Sequence, residues 1–180
     1  MKSLFKRIVV ILISSGIFYV IAHYMGISTS FESIRVAYDH SLAVIISVMF
    51  GPIVDAFSGE IGQTLTQLME LTPDWISVGC TVLNTGLIGF LMRKNDINNG
   101  FFYRKEAISF TRAQTLCNFA VWGVLSPVLN ILIVHAEFQQ AVLHGLRIAF
   151  NNSVSCMLVA SLFLSIYARS RISELNFYLS

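Results

Sequence analysis

Six long apolar runs, separated by short polar breaks, constrain this chain more than any other feature. They fall at about 8–25, 34–50, 52–69, 75–92, 110–134 and 142–168. A helix of roughly 20 apolar residues crosses the hydrocarbon of a bilayer. At that depth no water bonds the backbone, so each run must close its hydrogen bonds within itself, as a helix does. Charged residues make up 12% of the 180 residues, about half the share usual in a soluble domain. The expectation is an all-α integral membrane protein with six transmembrane helices, a single domain over residues 1–180.

The first run follows Lys2, Lys6 and Arg7, the pattern of a signal peptide. The small residues Ser14, Ser15 and Gly16 lie inside the run, and Ile21-Ala22-His23 is a poor cleavage end. An uncleaved first span is therefore favoured. Its Ser14-Ser15-Gly16 patch has two readings, ordinary packing in the bundle or a contact face for a partner membrane protein.

The third run, FGPIVDAFSGEIGQTLTQLM at 50–69, is too polar to face lipid on all sides. Pro52 suits a first helical turn, where its missing N–H costs nothing. Glu60, Gln63 and Gln67 follow i, i+3, i+7 spacing and form one stripe. That stripe serves interhelical hydrogen bonds or faces a ligand, and an ionisable residue within a span is a functional candidate. Asp55 and the small residues Gly51, Ser58, Gly59 and Gly62 lie elsewhere on the same helix.

The other runs carry isolated polar groups. The second opens with Arg35, Tyr38, Asp39 and His40, either interface anchors or part of a solvent-facing cup. Asn84 is the one amide deep in the fourth. The fifth holds Asn118, Trp122, Pro127 and Asn130, and Pro127 is expected to kink or unwind it, freeing a carbonyl. The sixth carries His144, Arg147, Asn151 and Asn152 in its first third. The segment 93–106 is long enough for a short amphipathic piece lying on the membrane. Cys80, Cys117 and Cys156 are far apart within apolar runs and read as small buried residues. No HExxH, GxSxG or paired CxxC occurs, so neither a metal site nor a hydrolase is expected.

The basic residues then orient the bundle. Lys2, Lys6, Arg7, Arg93, Lys94, Arg104, Lys105, Arg112, Arg169 and Arg171 fall on one side of a six-span arrangement. Only Arg35 and Arg147 fall on the other, so both termini are expected inside. The two exceptions lie near Tyr38, Asp39, His144 and the Asn151-Asn152 pair. They form salt bridges in the outer surface or meet a ligand there.

The stretch FGPIVDAFSGEIGQTL resembles the FGPIVG-x-x-x-G-x-IG signature of the S components of energy-coupling factor (ECF) vitamin transporters, and within these the broad riboflavin-type family. The likeness extends through NFAVWGVLSPVLNILI at 118–133 and FNNSVSCML at 150–158, and ends in YARSR at 167–171. It implies a multi-pass protein of the bacterial cell membrane with both termini inside, neither an enzyme nor a cofactor protein. It implies a vitamin or precursor bound near the outer face, under the loops after spans one, three and five. It also implies a membrane coupling protein and two ATPase subunits as partners, and a toppling motion that carries the substrate inward. Docking would use the first span, here through Ser14, Ser15 and Gly16. That patch departs from the family's small-xxx-small spacing, because Ile11 and Leu12 stand four residues before Ser15 and Gly16. Asp55 and Glu60 stand where the family usually has glycine or an apolar residue, and Gln63 where it often has histidine. The opening MKSLFK lacks the N-terminal histidine motif of the metal-transporting members.

The expected substrate is a small planar nitrogen heterocycle, and the expected partners include membrane lipid but no nucleic acid. Members of related groups take pyrimidines, pyridoxine-like compounds, folates, biotin or queuosine precursors. Tyr38 and Trp122 can stack on a ring. Asn84, Asn118, Asn130, Asn151 and Asn152 both donate and accept, and Glu60, Gln63 and Gln67 would read the opposite edge. Arg35, Asp39 and Arg147 complete the candidate outer cup. A stand-alone carrier or facilitator is the alternative, and an intramembrane enzyme is disfavoured because no nucleophile or acid–base motif accompanies the acids.

Overall fold

The structure is a computed structural model that describes residues 2–24, 38–51, 53–54, 57, 61, 74–94 and 97–179. Arg35, Asp55, Glu60, Gln63 and Gln67 lie outside the described residues, as do the side chains of Tyr38 and Asp39. The described elements are all helical: α1 (Lys2–Tyr24), α2 (Tyr38–Phe50), α3 (Trp75–Met92), a 3-10 turn at Ile97–Asn99, α4 (Arg104–Val134), and α5 from Phe138 onward, ending in the stretch Ser161–Leu179. Helices α3, α4 and α5 are long and apolar enough to cross a membrane, and shorter apolar segments lie at Ile8–Ile17 and His40–Phe50.

Local chemistry sets the helix ends. The α2 helix closes with Gly51 N–H donating to Ser47 O at 3.0 Å, and Gly51 sits at φ +96°. A side chain is strained at that φ, so glycine suits this helix end. Asp74 caps α3, its Oδ1 accepting from Ile76 N and Ser77 N at 3.1 Å each. Tyr103 N–H donates to Glu106 Oε2 at 3.0 Å and starts α4 at Arg104, six residues before the predicted apolar run. The segment between α3 and α4 is not a surface helix: Ile97 and Phe102 are buried, and Phe102 packs edge-on against Phe110.

Pro127 disrupts α4 in a specific form. Residues Val121–Leu125 are a π-helix, with Ser126 N–H reaching back to Val121 O. A proline ring collides with the carbonyl four residues earlier, and widening the turn relieves that contact. In the π register Trp122 O would accept from residue 127, which as proline has no N–H. Gly145 of α5 packs against that carbonyl so tightly that a Cβ would collide with Trp122 O and with the Pro127 ring. A second π segment, Cys156–Ala160, interrupts α5 where the sequence carries no proline.

The packing is layered. One apolar cluster joins Val44, Ile45, Ile88, Met92, Phe110, Cys117, Cys156 and Leu164. A second, smaller one joins Cys80, Val121, Trp122 and Ala149. About one turn separates each cluster from His40, Asn84, Gln114, Asn118 and Ser153, which are buried as a polar layer between them. All three cysteines are free and buried in these clusters, as expected. Outside, Leu116, Val124, Leu132, Leu158, Leu162 and Ile166 are exposed, an apolar surface suited to lipid. On α1, Ser14 and Ser15 are buried, with Ser15 Oγ donating to Ile11 O at 2.8 Å, while Gly16 is exposed.

Candidate functional site

The polar layer is a chain of side-chain hydrogen bonds through four helices. Asn84 on α3 donates through Nδ2 to Asn118 Oδ1 on α4 at 2.8 Å. The same Nδ2 lies 3.1 Å from His40 Nε2 on α2. With Asn84 as donor, His40 Nε2 accepts, which places a neutral ring's proton on Nδ1. Asn118 Nδ2 donates to Gln114 Oε1 at 3.0 Å. Gln114 Nε2 donates in turn to Thr115 Oγ1 at 3.0 Å and to Ser153 O on α5 at 3.4 Å. Close helix approach supports the layer: Ser47 Oγ on α2 donates to Thr85 O on α3 at 2.8 Å, and Gly89 leaves the space for that contact.

Among the described residues, two buried polar atoms of this region have no hydrogen-bond partner, the Asn84 Oδ1 acceptor and the Trp122 Nε1–H donor. An unpaired buried polar group costs about 1–3 kcal/mol.

A second feature lies at the far ends of α4 and α5. A cavity of about 420 Å³ is lined by Asn130 from α4 and by Gln140, His144 and Arg147 from α5, among others. The three α5 residues share one face through their i, i+4, i+7 spacing. Asn130 Nδ2 donates to Ser126 O at 2.9 Å, which leaves its carbonyl as an acceptor. The volume suits a small solute. A separate cavity of about 380 Å³ between α3 and α4 is lined by apolar groups such as Trp75, Leu83 and Ile133.

The sequence-predicted residues therefore divide. Asn84 and Asn118 meet each other, and Trp122 lies one turn from Asn118. Asn130 and Arg147 meet in the cavity at the helix ends. Asn152 is buried and Asn151 half-buried on α5, and neither lines that cavity. Sequence reasoning missed Gln114 and grouped His40 with interface anchors or a solvent-facing cup, whereas His40 is buried against Asn84. The available signal was the i, i+4 amide pair Gln114–Asn118 within an apolar run. Among the described residues, no three His, Cys, Asp or Glu side chains gather to hold a metal.

Membrane-length helices around a buried hydrogen-bonding layer, with a solute-sized cavity at one end, define a solute-handling membrane protein. A family model of the ECF-type riboflavin transporter S component matches residues 2–169, and the chain belongs to that family. It is thus a bacterial membrane protein of a transporter family, a substrate-binding component and not an enzyme. The chain is 28% identical over 167 residues to a UPF0397 protein of Enterococcus faecalis, covering 92% of this chain and 91% of that one. It is 26% and 27% identical over 170 residues to two UPF0397 proteins of Staphylococcus aureus, covering 94% of this chain and 92% of each. No solved structure matches it.

Proposed function

We propose that the chain captures a small planar nitrogen heterocycle, a vitamin or a vitamin or nucleobase precursor, at the outer face of the membrane. In this reading it delivers the solute inward with a membrane coupling protein and two ATPase subunits. The observation that carries it is the unpaired acceptor of Asn84 and the unpaired donor of Trp122, at a hydrogen-bonded layer inside an apolar bundle. A heterocycle with mixed edges offers the complementary donor and acceptor, and the indole offers a stacking face.

The basic residues support six spans with both termini inside. On that topology the cavity at Asn130, His144 and Arg147 opens outward and serves as the mouth of the site. Arg35, Tyr38, Asp39, Glu60, Gln63 and Gln67 complete its walls in this reading, while Asn151 and Asn152 serve deeper, beside Ser153 of the hydrogen-bonded layer. The first-span patch Ser14, Ser15 and Gly16 serves docking, with the exposed Gly16 as its contact point.

The test begins with mass spectrometry of small molecules that remain bound through purification. Calorimetry with vitamins and purine-like or pyrimidine precursors follows. A bound heterocycle whose affinity falls in Trp122→Ala and Asn152→Ala supports the proposal. No binding to any candidate, together with unchanged uptake in both variants, overturns it.

A further inference from the structure

The end of the bundle that carries most of the basic residues holds a third cavity, of about 310 Å³. It lies between the turn that precedes α4 and the late part of α5. Its lining is two-sided. Phe102, Ala107 and Ala168 supply apolar wall, and Phe102 and Ala168 are buried. Arg104 and Arg169 line it from two different stretches of helix, and Tyr103 lines it beside Arg104. Among the described residues, no carboxylate lines the cavity. Glu106, close by in sequence, accepts instead from Tyr103 N–H.

Two arginines with no described acid among the lining residues favour an anion, and the planar guanidinium fork matches phosphate oxygens. The apolar wall suits the glycerol carbons and first methylenes that follow a lipid phosphate. Charge placement puts this end at the inner membrane surface, where anionic headgroups are abundant. We propose that the cavity binds a phosphate ester at the inner surface, presented by an anionic phospholipid or by a free glycerol phosphate. The site is separate from the substrate layer; it rests on the topology proposed above and not on the substrate assignment.

The experiment uses the full-length protein in neutral detergent and native mass spectrometry. Short-chain phosphatidylglycerol, short-chain phosphatidylcholine and glycerol 1-phosphate are titrated separately and in competition. Phosphatidylglycerol is expected to bind the wild type in preference to phosphatidylcholine. In R104Q/R169Q its affinity falls roughly 10–30-fold, the size expected for two basic contacts near a membrane surface. R93Q/K94Q removes the same charge at the same end, outside the cavity, and should change binding by less than about 3-fold. If R104Q/R169Q fails to fold, Ala107→Leu fills the cavity with both arginines in place and should weaken the same binding. Competition by glycerol 1-phosphate identifies the free ester as a ligand; its failure to compete identifies the lipid. Equal binding of the two lipids, or equal losses in the two double variants, overturns the proposal.

Discussion

Asn84 on α3 and Asn118 on α4 are joined by a 2.8 Å hydrogen bond, and neither side chain is accessible to solvent. Each asparagine also bonds onward, to His40 and to Gln114 respectively. The pair is therefore the middle of a relay that ties four helices together. Replacing Asn84 by Ala leaves Asn118 Oδ1 and His40 Nε2 without their donor. The expected loss is about 1–3 kcal/mol of stability. In a double-mutant cycle with Asn118→Ala, the coupling should lie near ~0.6 kcal/mol and below ~2 kcal/mol, the range of interhelical bonds in membrane proteins. Reversible unfolding in mixed micelles measures both, and strictly additive losses would mean that the two amides act independently.

Gly145 marks a close approach of α5 to α4. Gly145→Ala drives a methyl group into Trp122 O and the Pro127 ring, and overpacking of this kind costs about 1–3 kcal/mol. Gly86 on α3 has open space where a Cβ would stand. Gly86→Ala should therefore be neutral or stabilise the helix by up to ~1 kcal/mol. Thermal melting of the two variants side by side checks the contrast. Equal melting temperatures would show that the Gly145 contact is looser than described.

Trp122 combines a buried ring with an unpaired N–H. Trp122→Phe keeps an aromatic ring and removes the donor. Stability should change by less than the cost of a full truncation, about 3–5 kcal/mol for Trp→Ala. Substrate affinity should fall about 5–10-fold, the value of one hydrogen bond. Calorimetry with the identified substrate decides, and unchanged affinity would remove the indole N–H from the site.

Arg147 is exposed at the rim of the cavity it shares with Asn130. Its removal opens no hole in the core. Arg147→Ala should leave the melting temperature nearly unchanged and weaken substrate binding by about 10-fold or more, as expected for a charged contact. A large loss of stability with intact binding would instead assign Arg147 a structural role.

The cysteines offer a check on the packing alone. Cys80, Cys117 and Cys156 are all buried. A maleimide mass tag should label folded protein slowly in detergent, and all three thiols should react after denaturation. Rapid labelling of any one in the folded state would contradict the layered core.

Much of the secondary structure was legible because its causes are local. The α3 span is found where it was expected, at 75–92, because Asp74 caps it and Met92 ends an uncharged run. Pro127 was visible as a breaker, although the π form of the break was not. The early start of α4 was hidden because an apolarity pattern does not register Tyr103 N–H bonding to Glu106. Gln114 escaped notice because its i, i+4 pairing with Asn118 does not reveal the partners on other helices, Asn84 and Ser153, that make it part of a buried layer.

The sequence by itself determined that this chain is helical and lives in a membrane. Long uncharged runs exclude water, and a backbone without water must bond to itself within each run. It also held the family motifs and the breaks at Gly51 and Pro127. Only the tertiary structure decided which polar groups satisfy one another and which remain unpaired. His40 and Asn84 are 44 residues apart, Asn84 and Asn118 are 34, and Gln114 and Ser153 are 39. Those pairs arise from helix rotation and depth, which no local pattern encodes. The same packing left Asn84 Oδ1 and Trp122 Nε1 without partners among the described residues and gathered Arg104 and Arg169 around one cavity.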